Sequence, residues 1–176
     1  MVSSLDGIIA KSDNSVSWFD TKDHYEKGIE LTEEETNNFL KTIDCYVMGA
    51  RTYEHALELS KEHGWAYGDV PTIVVTHRTL PVERPDIELY SGDLTILVKE
   101  RLKPRYNNVW LVGGAVLANH FMDLQLADEL RLSVMPIVLG AGTPLFSHAG
   151  QEQALHLKAV TPYKTGMVEL WYEIKK

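Results

Sequence analysis

Apolar and polar positions change their period along this chain, and the change divides it. Residues 2–10 carry the apolar run of a strand, broken by Asp6 and Gly7. Residues 11–30 are polar and irregular, with Trp18 and Phe19 as the anchors expected to hold them down. Thr32 followed by Glu35 is a capping box, in which each side chain satisfies a backbone N–H of the helix start. Phe39, Leu40 and Ile43 continue at helical spacing, which predicts a helix over 32–42. A short apolar strand follows at 45–48, then a turn at Gly49-Ala50. A helix over 52–60 presents Tyr53, Ala56 and Leu57 on one face. The run Thr72-Ile73-Val74-Val75-Thr76 has no polar alternation and suits a strand buried on both faces of a parallel sheet. Another short strand is predicted at 87–90. Leu94, Leu97, Val98 and Leu102 then mark a helix that Pro104 ends. The strand at 109–112 runs into Gly113-Gly114 and a helix over 115–123.

Beyond that helix the period becomes two. Leu130, Leu132 and Val134 alternate with Arg131 and Ser133, and Leu155, Leu157 and Ala159 alternate likewise. Val168, Leu170, Tyr172 and Ile174 alternate with Glu169, Trp171, Glu173 and Lys175. Gly166 lies in the turn between these last two segments, which read as an antiparallel hairpin. The fold class is therefore α/β: parallel β-α-β units first, antiparallel strands added to the same sheet at the end. With no repeats and no low-complexity linker, residues 1–176 are expected to form one domain. The connection 11–30 exceeds ordinary loop length and is a candidate active-site flap.

Composition narrows the function classes. A formal charge of -8 argues against nonspecific nucleic-acid binding and makes each local basic cluster informative. The single cysteine, Cys45, lies in an apolar run and reads as a buried, inert thiol. No apolar stretch has the length of a membrane span, and no basic-then-apolar signal pattern opens the chain, so the cytoplasm is the expected location. The histidines at 24, 55, 63, 77, 120, 148 and 156 have no metal-binding spacing, and no metal is expected.

Three strand-to-turn junctions carry the chemistry: Met48-Gly49-Ala50-Arg51-Thr52, Val75-Thr76-His77-Arg78, and Gly113-Gly114. In open α/β sheets ligands bind beyond the carboxyl ends of the strands. Adjacent glycines let a ligand approach the backbone, and the amides of a helix start favour an anion. The same two glycines also suit a tight turn with no ligand, and from the residues alone both readings stand. Thr52 adds a hydroxyl at a helix start, fitted to a pyrophosphate. Arg51, His77 and Arg78 add positive charge to an acidic chain, which suits the terminal phosphate of NADPH; solvated surface charge is the alternative. Neither Gly113-Gly114 nor Gly140-Ala141-Gly142-Thr143-Pro144-Leu145 has the spacing of the ordinary dinucleotide fingerprint. Trp18 and Trp65 either stack on a flat heterocycle or anchor loops.

Four segments in this order resemble the dihydrofolate reductase superfamily. They are Ser4-Leu5-Asp6-Gly7, Met48-Gly49-Ala50-Arg51-Thr52-Tyr53-Glu54, Leu111-Val112-Gly113-Gly114, and residues 130–146, which close on Gly140-Ala141-Gly142-Thr143-Pro144-Leu145-Phe146. The set is most similar to the branch that contains the reductase domain of bacterial riboflavin biosynthesis. The resemblance implies a three-layer sandwich with a mostly parallel central sheet, and NADPH lying across its carboxyl edge. It implies hydride transfer to a pyrimidine or pteridine, as in a 5-amino-6-(5-phosphoribosylamino)uracil reductase. Thr52 would meet the pyrophosphate, Thr76, His77 and Arg78 would surround the adenosine phosphate, and Gly49 and Arg51 are further cofactor-binding candidates. Gly113 and Gly114, joined by a cis peptide, would pass under the cofactor together with Val112, Ala115, Val116 and Leu117. Val2, Ile9 and Ala10 would line the nicotinamide. A homodimer is common in that branch and is expected here.

Ile8 stands where the riboflavin enzymes carry a basic residue and Val112 where they carry glutamate, which leaves the substrate open. The chain begins close to its first motif, so a short first strand or a missing start is expected. For the proton, Asp6 and Glu33 are the candidate catalytic carboxylates, with water as the other source. Asp6 has a second reading as the residue that shapes the turn with Gly7. Glu33 and Glu34 have a second reading as first-turn residues that complement the helix dipole. Two further functions remain on the table: a true dihydrofolate reductase using Glu33 or Glu34, and a nucleotide-binding relative without catalysis. A structural dimerisation module is a third.

Overall fold

The computed structural model describes residues 1–146 and 152–176; His148 therefore lies outside the described residues. They form two compact units. One is built from both ends of the chain, residues 1–35 and 121–176, and the other from residues 36–120.

The middle unit is a parallel α/β sheet. Its strands are β3 (Cys45–Gly49), β4 (Thr72–Val75), β5 (Ile87–Tyr90) and β6 (Val109–Gly113), in the order β5-β4-β3-β6. β1 (Val2–Ser4) and β2 (Ile8–Ala10) precede them in the chain. All three ladders of this sheet are parallel. β3 is central, and Cys45, Tyr46, Val47 and Met48 are all buried, two on each face. Burial pushes the Cys45 thiol up to about 12, so it is inert as expected. On one face Tyr46 and Met48 pack with Ile43, Tyr53, Val74, Leu80 and Ile87, rimmed by Phe39, Trp65, Tyr67 and Trp110. Trp65 sits edge-on to Tyr67 at 5.1 Å and Tyr53 at 6.1 Å, which makes it an aromatic anchor of this core.

The helices follow their sequence signals with instructive differences. α1 (Glu33–Leu40) starts at the expected capping box: the Glu35 N–H donates to Thr32 Oγ1 at 3.2 Å, and the Thr32 N–H donates to Glu35 Oε2 at 3.2 Å. α2 (Ala50–His63) begins two residues earlier than the pattern predicts, directly on the last residue of β3. α3 (Leu94–Ile96) is a single turn, capped by the Asp93 carboxylate, and widens into a π turn over Leu97–Leu102. α4 (Ala115–Asp123) follows β6 as predicted.

The unit made from the chain ends holds a mixed sheet. β7 (Glu129–Met135) pairs in parallel with β1 and antiparallel with β10 (Val168–Ile174). β10 pairs antiparallel with β9 (Leu155–Pro162), the predicted hairpin, with a bulge opposite Trp171/Tyr172. The antiparallel strands were expected to extend the parallel sheet; their ladder instead begins at β1. A two-residue strand, β8 (Thr143–Pro144), pairs with β2. No helix among the described residues is long and apolar enough to cross a membrane.

The long connection after β2 is fastened rather than loose. Trp18 is buried in a short 3-10 turn; Phe19, the second expected anchor, is exposed and lies edge-on to Trp18 at 4.7 Å. Farther on, the Tyr25 N–H donates to Lys164 O, the Ile29 N–H to Pro162 O, and the Lys164 N–H to Ile29 O. The chain at Gly28 thus lies against the backbone of Tyr163. A Cβ at Gly28 would stand 2.3 Å from the Tyr163 carbonyl carbon, a fixed atom that has nowhere to go.

Replacing Gly28 with alanine is therefore expected to destabilise the protein by about 1–3 kcal/mol, the usual cost of overpacking. It should also expose the 11–30 segment to proteases. Urea unfolding and limited proteolysis of Gly28→Ala check this; an unchanged midpoint and cleavage pattern would contradict the close approach.

Candidate functional site

The parallel register decides where the chemistry can be. Gly49 at the end of β3 pairs with Val75 of β4, and Met48 pairs with Gly113 of β6. Three chain segments therefore leave the sheet side by side at its carboxyl edge: α2 from β3, Thr76-His77-Arg78 from β4, and Gly114 with α4 from β6. The ends of all three strands, and the starts of the two helices, lie within residues 36–120, the middle unit.

The start of α2 at this edge is open. Gly49 precedes α2 in an extended conformation and no side chain caps that helix. The first amides of α2 have no partner within their own helix, and they form its positive end. Thr52 is the third residue of α2 and partly exposed. A Cβ on Gly114 would lie 3.5 Å from Thr52 Oγ1, so that hydroxyl and the glycine backbone border one space. A Cβ on Gly49 would lie 3.7 Å from Gly113 O. The Gly113–Gly114 peptide is cis, as the resemblance implies. Val112 is the extra residue of a bulge: Leu111 pairs with Val47 and Gly113 with Met48. Such bulges re-aim a strand end. Nothing in the sequence pattern marks it.

The side chains expected around a cofactor divide into several groups. Arg51 and His77 are exposed. Thr76 is buried, and its hydroxyl accepts the Arg78 N–H at 3.0 Å, so it shapes the turn at the strand end. Arg78 is already paired with the carboxylate of Glu54 on α2. The sequence marks Arg78 only as a positive charge and assigns Glu54 no role. The pair unites a helix and a loop that are 24 positions apart, a juxtaposition no local pattern announces. Val116 is 71% exposed, whereas Leu117 is buried and serves the core. Ala115 is the first residue of α4, and its carbonyl accepts from Asn119 Nδ2 at 2.7 Å.

The remaining candidates belong to the other unit or to its boundary. Val2 lies on β1, and Ile9 and Ala10 lie on β2. Asp6 follows β1. Its carboxylate accepts from Ser4 Oγ at 2.6 Å and from the backbone N–H groups of Leu139 at 3.1 Å and Gly140 at 2.7 Å. These bonds, the Ser4 hydroxyl first, lower its pKa to about 2. Asp6 is thus ionised at neutral pH and holds residues 139–140 against the first turn. This geometry favours its turn-shaping reading over proton donation. The neighbouring Gly142 has φ +139°, and a Cβ there would stand 2.2 Å from Ala10 O. Glu33 and Glu34 are exposed in the first turn of α1, where they complement the helix dipole.

A cleft of about 210 Å³ opens elsewhere, at the amino-terminal edge of the parallel sheet, with Thr72, Ile87, Arg101, Arg105 and Tyr106 in its lining. Its polar walls are largely engaged already, Arg101 by both Glu88 oxygens at 2.7 and 2.8 Å. We take the carboxyl edge as the site, because open backbone donors and unshielded glycines meet there.

Comparison with known proteins shows the family and the fold. The model of the RibD C-terminal domain family matches residues 1–168. The uncharacterized Bacillus subtilis (strain 168) protein YwjB is 31% identical over 163 residues, 91% of this chain and 87% of that protein. A second B. subtilis protein, the uncharacterized YyaP, is 42% identical over 65 residues, 37% of this chain and 35% of that protein. Among solved structures, a Shewanella sp. PV-4 protein assigned provisionally to riboflavin biosynthesis superposes with TM-score 0.82 at 22% identity, covering 100% of this chain and 97% of that one. A Thermotoga maritima diaminohydroxyphosphoribosylaminopyrimidine deaminase/5-amino-6-(5-phosphoribosylamino)uracil reductase superposes with TM-score 0.68 at 15% identity, covering 99% of this chain and 55% of that one.

The Asp6 network has a pH signature. Its folded pKa, about 2, lies below the ordinary 3.8, so it adds stability above pH 4 that is lost as pH falls from about 4 towards 2. Asp6→Asn is expected to lower the urea midpoint at pH 7, with the gap from wild type closing at pH 2. An equal gap at both pH values would show that the carboxylate charge is not what holds residues 139–140.

Proposed function

We propose, for a chain that belongs to the RibD C-terminal domain family, that it is a reductase whose cofactor is NADPH and whose substrate is a planar nitrogen heterocycle of the pyrimidine or pteridine type. One observation carries this reading: the carboxyl ends of β4, β3 and β6 stand side by side, with an uncapped helix start and a Gly-Gly backbone between them. That is a cradle for a long, phosphorylated ligand.

The residues fit such a cofactor. The free amides at the start of α2 and the Thr52 hydroxyl hold the pyrophosphate. Gly49, Gly113 and Gly114 keep the floor of the cradle clear of side chains, and a Cβ at position 114 would fill the space beside the Thr52 hydroxyl in ordinary contact with it. Thr76 fixes the turn that carries His77 and Arg78 towards the adenosine end. When bound, the dihydronicotinamide supplies the hydride; the protein supplies orientation. The proton comes from water in this reading, because Asp6 is ionised and engaged at neutral pH.

Titration with NADPH tests the cofactor. At a hundred times its dissociation constant NADPH should stabilise the protein by about 2.7 kcal/mol, visible as a higher melting temperature. Thr52→Val removes a hydrogen bond to a charged group and should weaken NADPH by about tenfold or more. Oxidation of NADPH with 5-amino-6-(5-phosphoribosylamino)uracil, and none with dihydrofolate, would favour the riboflavin-type substrate. The opposite result would favour a dihydrofolate reductase. No effect of millimolar NADPH on fluorescence or melting would overturn the reading.

A further inference from the structure

The ion pair between Arg78 and Glu54 ties α2 to the turn that carries Arg78 towards the adenosine end of the cradle. Glu54 is three residues after Arg51 on α2, so both project from one side of that helix. Its carboxylate reaches Arg78, which follows β4 beyond Thr76. The two side chains are 45% and 55% exposed, so water and solutes reach the pair. Such a pair adds at most about 1 kcal/mol to stability. Its position at the strand edge has the larger consequence.

Arg51 makes no ion pair among the described residues. Arg51 and Arg78 against Glu54 leave one net positive charge at this corner, where a phosphate monoester carries about -1.5 to -2. A phosphate that binds Arg78 must compete with the carboxylate already there and be repelled by it. A ribose with a free 2′-hydroxyl carries no charge at that position and faces no such repulsion. We infer that Glu54, by holding Arg78, is a specificity-determining residue that restrains the preference for a 2′-phosphorylated adenosine, so that the site accepts the unphosphorylated dinucleotide as well. The inference rests on the dinucleotide reading above and deepens it. Glu54 acts through Arg78 and is a positioning residue.

Calorimetric titration with adenosine 2′,5′-bisphosphate and adenosine 5′-monophosphate isolates this end of the site from the nicotinamide. The readout is the ratio of the two affinities, which a general loss of structure would not move in one direction. Glu54→Gln should raise the preference for the bisphosphate about fivefold, the factor expected for releasing a half-exposed pair. The double variant Glu54→Gln/Arg78→Gln should show no such gain. NADPH and NADH should follow the same order. If Glu54→Gln leaves the ratio unchanged while both nucleotides bind, the inference falls and the dinucleotide reading stands. If the gain persists without Arg78, Glu54 does not act by holding it, and the inference again falls. If neither nucleotide binds the wild-type protein, both readings fall together.

Discussion

The parallel ladder through β3 is the constraint on which the site depends. Its side chains are buried on both faces, so a slip of one residue would exchange the set that packs with Tyr53 and Val74 for the set on the other side. That register fixes where β3 ends relative to β4 and β6. Because α2 begins on the residue after β3, no loop absorbs error between the core and the helix start. The position of the α2 amides is thus set by packing some residues away, not by any polar side chain at the edge.

The way this chain treats its other exposed amides sharpens the point. At α1, Thr32 and Glu35 satisfy the helix start. At α3, the Asp93 carboxylate accepts from Thr95 and Ile96. Beyond β7, Asp6 takes the amides of Leu139 and Gly140. In each case an acidic or hydroxyl side chain supplies the acceptor that a bound anion would otherwise be. α2 has an extended glycine at its cap and no side-chain acceptor there. A helix start left open, among others that are closed, is where an outside acceptor has a place.

Much of this was legible in the chain because the signals were local. The β-branched run at 72–75, the capping box at Thr32, and the alternation of β10 each depend on neighbours within a few residues. The glycine pair before α4 was legible for the same reason, and with it the general place of the proposed site. What escaped was long-range. β8 is two residues long and exists only because β2 offers it a partner. The bulge at Val112 appears only when β6 is set against β3. The early start of α2 was hidden because Gly49-Ala50 reads as a turn, whereas the strand passes its direction straight to the helix. Charge was the least legible quantity: no local pattern places Glu54 beside Arg78, or brings three donors to the Asp6 carboxylate.

That last difficulty bears on how the site recognises anything. The chain carries a formal charge of -8, so its overall field does not draw a dinucleotide phosphate in. At physiological salt the field also fades within about 8 Å. On the proposed reading a phosphate would therefore be held at contact distance, first of all by groups that carry no formal charge. Backbone amides at a helix start are such groups, and so is the Thr52 hydroxyl. They would bind phosphate oxygens without adding a formal positive charge that a nearby carboxylate would neutralise. An acidic protein can keep an anion site in this way, provided the backbone that forms it is held by a core as closely registered as the one around β3.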